Sequence, residues 1–164
     1  MIRMPALFAV TILLAVGPLA AGAHEPAQGA ASASTIDAAA QPAAQTVDAF
    51  HAALKRADTA AALALLADDA LIFEEGGAER SKAEYAASHL AADAAFSTAV
   101  QSVQSRRSGR ASGRLVWIAT ESRTTGRYRN RDINSVGTET MVLRRDGANW
   151  RIVHIHWSSR TIPS

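Results

Sequence analysis

The stretch that decides the fold is Trp150 to Ser159, WRIVHIHWSS. Read at a period of two, Trp150, Ile152, His154, His156 and Ser158 face one way, and Arg151, Val153, Ile155, Trp157 and Ser159 the other. Both sets hold apolar residues, so the strand is expected to be covered on both sides and central in its sheet. Just upstream, Val136 to Arg145 reads as a partner strand, and Asp146-Gly147 is the hairpin signal between them. The simplest register sets Leu143 across from Trp150, Met141 from Ile152 and Glu139 from His154.

Further back, Leu115 to Thr124 (LVWIATESRT) is a strong strand with Leu115, Trp117, Ala119 and Glu121 on one face. An Arg-rich connection, 125–135, follows it. Phe96 to Arg106 alternates weakly, and 108–113 reads as a turn. Before Phe96 the pattern is helical. Val47, Phe50 and Leu54 share a stripe in a helix over 43–57. Asp58 caps a second helix over 59–67, with Leu63, Leu65 and Leu66 on its buried side. Leu71-Ile72-Phe73 is a short strand that runs into a turn at Glu74 to Gly77. Ser81 and Glu84 form a capping box for a helix reaching about Ala95, in which Tyr85, His89 and Ala92 lie on one stripe. Helices followed by antiparallel strands imply an α+β fold with the helices on one sheet face.

The chain has 164 residues, enough for one domain with a real core. Residues 1–23 read as a secretory signal: Arg3, an apolar run over 6–16, and the small-residue cleavage site Ala21-Gly22-Ala23. Residues 24–42 are small, polar and Pro-punctuated, which predicts a disordered tether, and 43–164 form the domain. The chain has no cysteine, so it has neither a disulfide nor a lipid-modified cysteine. These features predict a periplasmic or secreted protein with no membrane segment in its mature form. The net charge of +2 hides an asymmetry: 4 Lys/Arg against 11 Asp/Glu over 24–100, then 12 Arg against 4 Asp/Glu over 101–164. Few aromatics interleave with those arginines, so no nucleic-acid partner is expected; an acidic helical layer facing an Arg-bearing sheet accounts for the split.

Several stretches together resemble one family: AFHAALKRADTAAALALLADDA at 49–70, IFEEGG at 72–77, the capped helix ending SHL at 88–90, and ETMVLRRDGANWRIVHIHWSS at 139–159. They are similar to the SnoaL-like bacterial branch of the nuclear transport factor 2-like superfamily. The resemblance implies a cystatin-like cone: a strongly curved antiparallel sheet wrapped round N-terminal helices, with a pocket at its open end. It also implies dimerisation through the outer sheet face, as in many members. Ketosteroid isomerase, scytalone dehydratase and polyketide cyclases share that fold, so fold alone does not assign a reaction. The isomerase's catalytic trio has no residue-by-residue match here.

The polar candidates for the concave face are Tyr85 and His89 on the long helix, Glu121 beside Trp117 on its strand, and Glu139, His154 and His156 on the last hairpin. Titratable groups among apolar ones acquire shifted pKa values and can move protons near neutral pH. In the expected register Glu139 holds His154 as a base, with Tyr85, His89, Trp117, Glu121 and His156 around the ligand. A buried structural pair is the competing reading of Glu139 and His154. His154 and His156 could share an ion with Glu139 or His89, but H-x-H recurs on strands without metal and no other ligand cluster is close, so neither metal nor cofactor is expected. Trp157, on the other face with Val153 and Ile155, is expected at a dimer interface or in the core.

The leading functional reading is an exported homodimer that binds a small apolar or mixed-polarity molecule. The alternatives are an isomerase, cyclase or dehydratase that transfers a proton through a His–Glu pair, and a non-catalytic dimeric scaffold. A buried carboxylate–histidine pair facing an open cavity favours the enzyme.

Overall fold

The computed structural model describes residues 33–163. The expected signal at 1–23 lies outside them, as do residues 24–32 of the expected tether. Residues 33–42, placed in that tether from composition, are structured instead. They form strand β1 (Ala33–Ile36), a 3-10 turn (Ala38–Ala40) and the first turn of helix α1 (Gln41–Lys55), where Pro42 fits. Ordered structure therefore begins ahead of residue 43. Its small alanines look like linker, yet Ala40, Ala43 and Ala44 are buried where α1 meets the sheet.

After α1 come α2 (Thr59–Leu65), β2 (Leu66–Glu74), β3 (Gly77–Glu79), α3 (Lys82–Ala87) and α4 (Leu90–Ala99). Four long strands complete the chain: β4 (Val100–Ser112), β5 (Leu115–Tyr128), β6 (Arg131–Asp146) and β7 (Asn149–Thr161). The seven strands form one sheet in the order β1-β4-β5-β6-β7-β2-β3. β7 is central, as its two apolar faces predict. The sheet is mixed, because β1 pairs parallel with β4 and β2 with β7. It is an unclosed, curved α+β cone with the helices on its concave side. Among the described residues no helix is long and apolar enough to cross a membrane.

Two expected loops are strand. The turn at 108–113 shrinks to Gly113-Arg114, and the connection at 125–135 is a hairpin closed by Arg129 and Asn130 at φ 48° and 61°. These strand ends are rich in Arg, Ser and Thr and carry little apolar alternation, because much of their surface meets solvent or the cavity mouth.

The last hairpin departs from the expected register twice. Its turn is centred on Gly147-Ala148, one residue late, and a bulge inserts Val153 into β7, so that Leu143 faces Ile152 but Val142 faces His154. The bulge reverses the alternation. Glu139 therefore pairs with Trp157, not with His154. Ile152, Ile155 and Trp157 all face the helices, and His154 and His156 face outward.

The inner face is built as rungs that cross the strands. At the closed end lie Val116, Leu143, Ile152 and Leu66, all buried. The next rung holds Ile118, Met141, Ile155 and Ile72, each 0% exposed. Phe50 and Val47 of α1 and Tyr85 of α3 complete this core. The third rung changes character: Arg107, Thr120, Glu139, Trp157 and Glu74. Beyond it come Gln104, Ser122, Gly137 and Ser159, then Ser102, Thr124, Ser135 and Thr161. The cone thus grades from aliphatic to charged to hydroxyl-rich toward its mouth.

The helix expected over 81–95 is broken in two. Ser81 caps it by accepting from the Glu84 N–H at 3.1 Å, while Glu84 accepts from the Arg80 N–H at 2.8 Å. The break falls at Ser88-His89. The Ser88 hydroxyl donates to the Glu84 carbonyl at 2.8 Å, and both Ser88 and His89 reach the buried carboxylate of Glu79 on β3. A tertiary partner on a strand that the sequence did not reveal thus overrides local helix preference.

Candidate functional site

Thr120, Glu139, Trp157 and Glu74 of the third rung floor a cavity of about 560 Å³ between α1, α4 and the sheet. At its centre is Glu139, 8% exposed. Its Oε2 accepts from Trp157 Nε1 at 2.7 Å and lies 2.9 Å from His51 Nε2 on α1. The Trp157 indole is held in turn by the Phe50 ring, stacked at 6.4 Å. Burial alone would raise the Glu139 pKa, but the His51 charge and hydrogen bond, the Trp157 bond and Arg107 outweigh it and hold the carboxyl below its ordinary value. Burial likewise pulls His51 down, and Glu139 more than restores it, so the imidazole sits above its usual range. His51 still presents 46% of its side chain to the cavity, so its surroundings are enclosed but wet. The geometry is that of an imidazolium–carboxylate pair, with the Glu139 Oε1 and Thr120 Oγ1 atoms buried and without a hydrogen-bond partner among the described residues.

A second carboxyl lies on the same rung. Glu74, next to Trp157 across β2 and β7, lines the cavity with Asp93 of α4. Burial, then the neighbouring Asp93 charge, pushes Glu74 up to about 7. Asp93 is also raised by burial, although the Tyr85 hydroxyl donates to its Oδ2 at 2.7 Å and partly opposes this. That buried phenol is itself pushed well above its ordinary value, by burial first and then by Asp93. Two carboxyls in one chamber are thus driven apart: Glu139 stays ionised and Glu74 titrates near neutrality. Such a separation supports distinct acid and base roles.

Lys55, at the cavity wall, is committed elsewhere. Its ammonium donates to the carbonyls of Ser97 at 3.0 Å and Val100 at 2.6 Å, closing the C-terminal end of α4.

Of the residues expected at the site, Glu139 is at its centre. Tyr85 lies beneath it, wholly buried and bonded to Asp93. The others are elsewhere. His154 is on the outer face, where its Nδ1 lies 2.8 Å from the Leu71 carbonyl oxygen and its ring meets Phe73 edge-on. His156 is exposed on the same face, 6.5 Å from His154 between ring centroids. Trp117 and Glu121 are also outward, as the alternation of β5 dictates once Val116 and Ile118 are inside. His89 is exposed at the helix break and bonded to Glu79. The expected Glu139–His154 pair therefore does not exist: the later turn alone would set Glu139 opposite His156, and the Val153 bulge sets it opposite Trp157. Trp157, expected at an interface or in the core on the opposite face from His154, does lie opposite it, but as part of the cavity floor. Among the described residues no group of three or more His, Cys, Asp or Glu side chains converges as metal ligands.

Sequence reasoning missed His51, Glu74, Asp93 and Thr120. Two had a signal. His51 follows Val47 by four and precedes Leu54 by three, which puts it on the apolar stripe of α1. Glu74 follows Ile72 by two, which puts it on the inner face once the strand is extended by one residue.

The SnoaL-like domain family matches residues 43–163. No curated protein matches the chain. Among solved structures, a candidate ketosteroid isomerase from Shewanella frigidimarina is 31% identical, with TM-score 0.71, covering 76% of this chain and 100% of that one. A nuclear transport factor 2-like protein of unknown function from Pseudomonas putida is 22% identical, with TM-score 0.63, covering 74% and 86%. The calcium/calmodulin-dependent protein kinase II hub of S. rosetta shares the fold at 14% identity, with TM-score 0.62, covering 73% and 95%. The chain belongs to the SnoaL-like domain family of the nuclear transport factor 2-like superfamily.

Proposed function

We propose that this domain transfers a proton to and from carbon in a small molecule, with Glu74 as the base and the His51–Glu139 pair as the polar wall opposite. The observation that carries this is the shared rung. Trp157 separates Glu139 from Glu74, so their backbones are on the order of 10 Å apart at the strand spacing, with cavity between them. That span suits a molecule whose reacting carbon meets one group while its polar end meets the other. Glu74 near pH 7 is poised to accept a proton and return it. In the step, a C–H bond next to a carbonyl breaks, the proton goes to the Glu74 carboxylate, and the electron pair passes to the carbonyl oxygen as an enolate. Glu74 then returns the proton to carbon. His51, whose pKa Glu139 raises, lines the cavity as the donor offered to the enolate oxygen. The 31% identity to a candidate ketosteroid isomerase agrees with this chemistry.

The test is hydrogen–deuterium exchange in D₂O, following the α-protons of cyclic ketones and α-hydroxy ketones by NMR. Exchange above the buffer rate that rises through about pH 7 and is lost in Glu74→Gln supports the reading. Exchange no faster than buffer across the panel, or equal in Glu74→Gln, contradicts it.

A carrier without turnover is the second reading. It is favoured by the low pKa of Glu139, which makes that carboxylate a weak base and a good fixed acceptor. Two further proposals concern context. The sequence of residues 1–23 supports export to the periplasm or medium, which N-terminal sequencing of the mature protein tests. The outer face supports a homodimer: Leu71, His154, Val142 and Trp117 form one continuous outer rung, with Phe73 beside it, and Phe73 and Trp117 are each 38% exposed.

A further inference from the structure

Beyond the Val153 bulge, His154 and His156 stand side by side on the outer face of β7. Two residues apart on one strand, they project the same way, with ring centroids 6.5 Å apart. His154 Nδ1 lies 2.8 Å from the Leu71 carbonyl oxygen. A carbonyl oxygen only accepts, so Nδ1 carries the proton and donates it, and Nε2 keeps its lone pair. This is the tautomer in which a histidine ligates a metal, with its second nitrogen tied to a backbone carbonyl that holds the ring and raises its basicity. His156 beside it is exposed. Phe73, across from His156 on β2, meets both imidazoles edge-on, at 5.3 Å from His154 and 6.2 Å from His156, and walls one side of the pair.

From this juxtaposition we propose that His154 and His156 form a two-histidine chelate for a late first-row divalent ion, Cu²⁺ ahead of Zn²⁺, with water in the remaining positions. Imidazole suits both ions, and a given set of nitrogen ligands binds Cu²⁺ more tightly than Zn²⁺. Bonds of about 2.1 Å from one tetrahedral ion to a nitrogen of each ring put the centroids roughly 5 Å apart. Rotation of the exposed His156 ring supplies the difference. The Leu71 carbonyl sets this pair apart from an ordinary H-x-H strand, because one ring is already held in its ligating form and less ordering is left to binding. The third ligands that the sequence offered lie elsewhere, Glu139 in the cavity and His89 at the helix break. Among the described residues no third His, Cys, Asp or Glu completes a ligand group, so the ion keeps open positions. The pair is on the opposite sheet face from the cavity, and the chelate does not rest on the proton-transfer reading.

The probe is Zn²⁺, which is diamagnetic, titrated into the ¹⁵N-labelled full chain at about pH 7.5, above the ordinary imidazole range. Long-range ¹H–¹⁵N spectra follow all five imidazoles. His154 Nε2 and one nitrogen of His156 should shift together, with the His154 Nδ1–H retained, while His51 and His89 stay in place. His156→Ala changes an exposed side chain and should weaken Zn²⁺ binding by about tenfold or more, as loss of a tethered second ligand does. His154→Ala should do the same, and Cu²⁺ should displace Zn²⁺ from the unmodified protein. An endpoint of one ion per chain, or of one per two chains if this face joins two copies, supports the chelate. No shift at either ring, shifts at His51 or His89 in their place, or an affinity unchanged in His156→Ala would overturn it.

Discussion

Glu74→Gln is the most informative single substitution, because its effect on stability should change with pH. The folded protein holds the Glu74 carboxyl at about 7 against an ordinary 4.5. A raised acid pKa means that the folded state binds the proton more tightly than the unfolded one. Below about pH 4.5 the group is neutral in both states and costs nothing. As pH rises through 4.5 the unfolded state ionises first, so stability falls, and it levels off above 7. The shift corresponds to an upper limit of about 3 kcal/mol. Glu74 is only half-buried, and solvent screening reduces this to roughly 1.5 kcal/mol. Glutamine keeps the shape and cannot ionise. Urea unfolding at pH 4 should find the two proteins within about 0.5 kcal/mol of each other. At pH 9 the variant should be more stable by about 1.5 kcal/mol, with an unchanged m value. A difference that is the same at both pH values, or a variant less stable at pH 9, would refute the reasoning.

Other expectations follow from the same geometry. Glu139→Gln removes the charge that holds His51 up, so the His51 ring should titrate lower by NMR, and stability should fall by about 2 kcal/mol in urea at pH 6, where the pair is intact. That stability has two edges: it is lost as pH falls through the depressed Glu139 pKa, and again as pH rises through the elevated His51 pKa, so a fluorescence-monitored unfolding profile should show a plateau between them. Gly126 sits at φ +146° opposite Val100, where an added Cβ would lie 3.0 Å from the Val100 Cα, so Gly126→Ala should lower stability by about 2 kcal/mol, measured as an earlier urea midpoint. If the outer face joins two copies, Trp117→Glu should leave a folded monomer by light scattering with unchanged circular dichroism; an unchanged mass would remove that face from the interface.

The fold was legible in the sequence because its long-range signals are periodic. Val47, Phe50 and Leu54 announced α1, Asp58 announced the cap of α2, and the apolar residues on both sides of Trp150 to Ser159 announced a central strand. The site was legible only in part, for a physical reason. A strand's alternation survives only until a bulge, and Val153 swaps every later side chain of β7 to the other face. That one residue exchanges His154 and His156 for Trp157 at the cavity, and together with the later turn it removes the expected Glu139–His154 pair. The helix break had a similar cause. At the break Ser88 bonds back to the Glu84 carbonyl, and Glu79, arriving on a three-residue strand, holds Ser88 and His89. His51 and Glu74 were within reach of periodicity, since each falls on the buried phase of its own element. The unmatched Thr120 hydroxyl was not, because it becomes visible only once its neighbours are placed.

The central claim is that one cavity holds two carboxyls with separated titrations, and ¹³C NMR of the glutamate side-chain carboxyls measures it directly. Signals are assigned by their loss in Glu74→Gln and Glu139→Gln. The account predicts a Glu74 midpoint near 7 and a Glu139 midpoint below 4.5. Midpoints for both close to 4.5 would contradict it, and would leave the cavity without the base on which the proposed proton transfer depends.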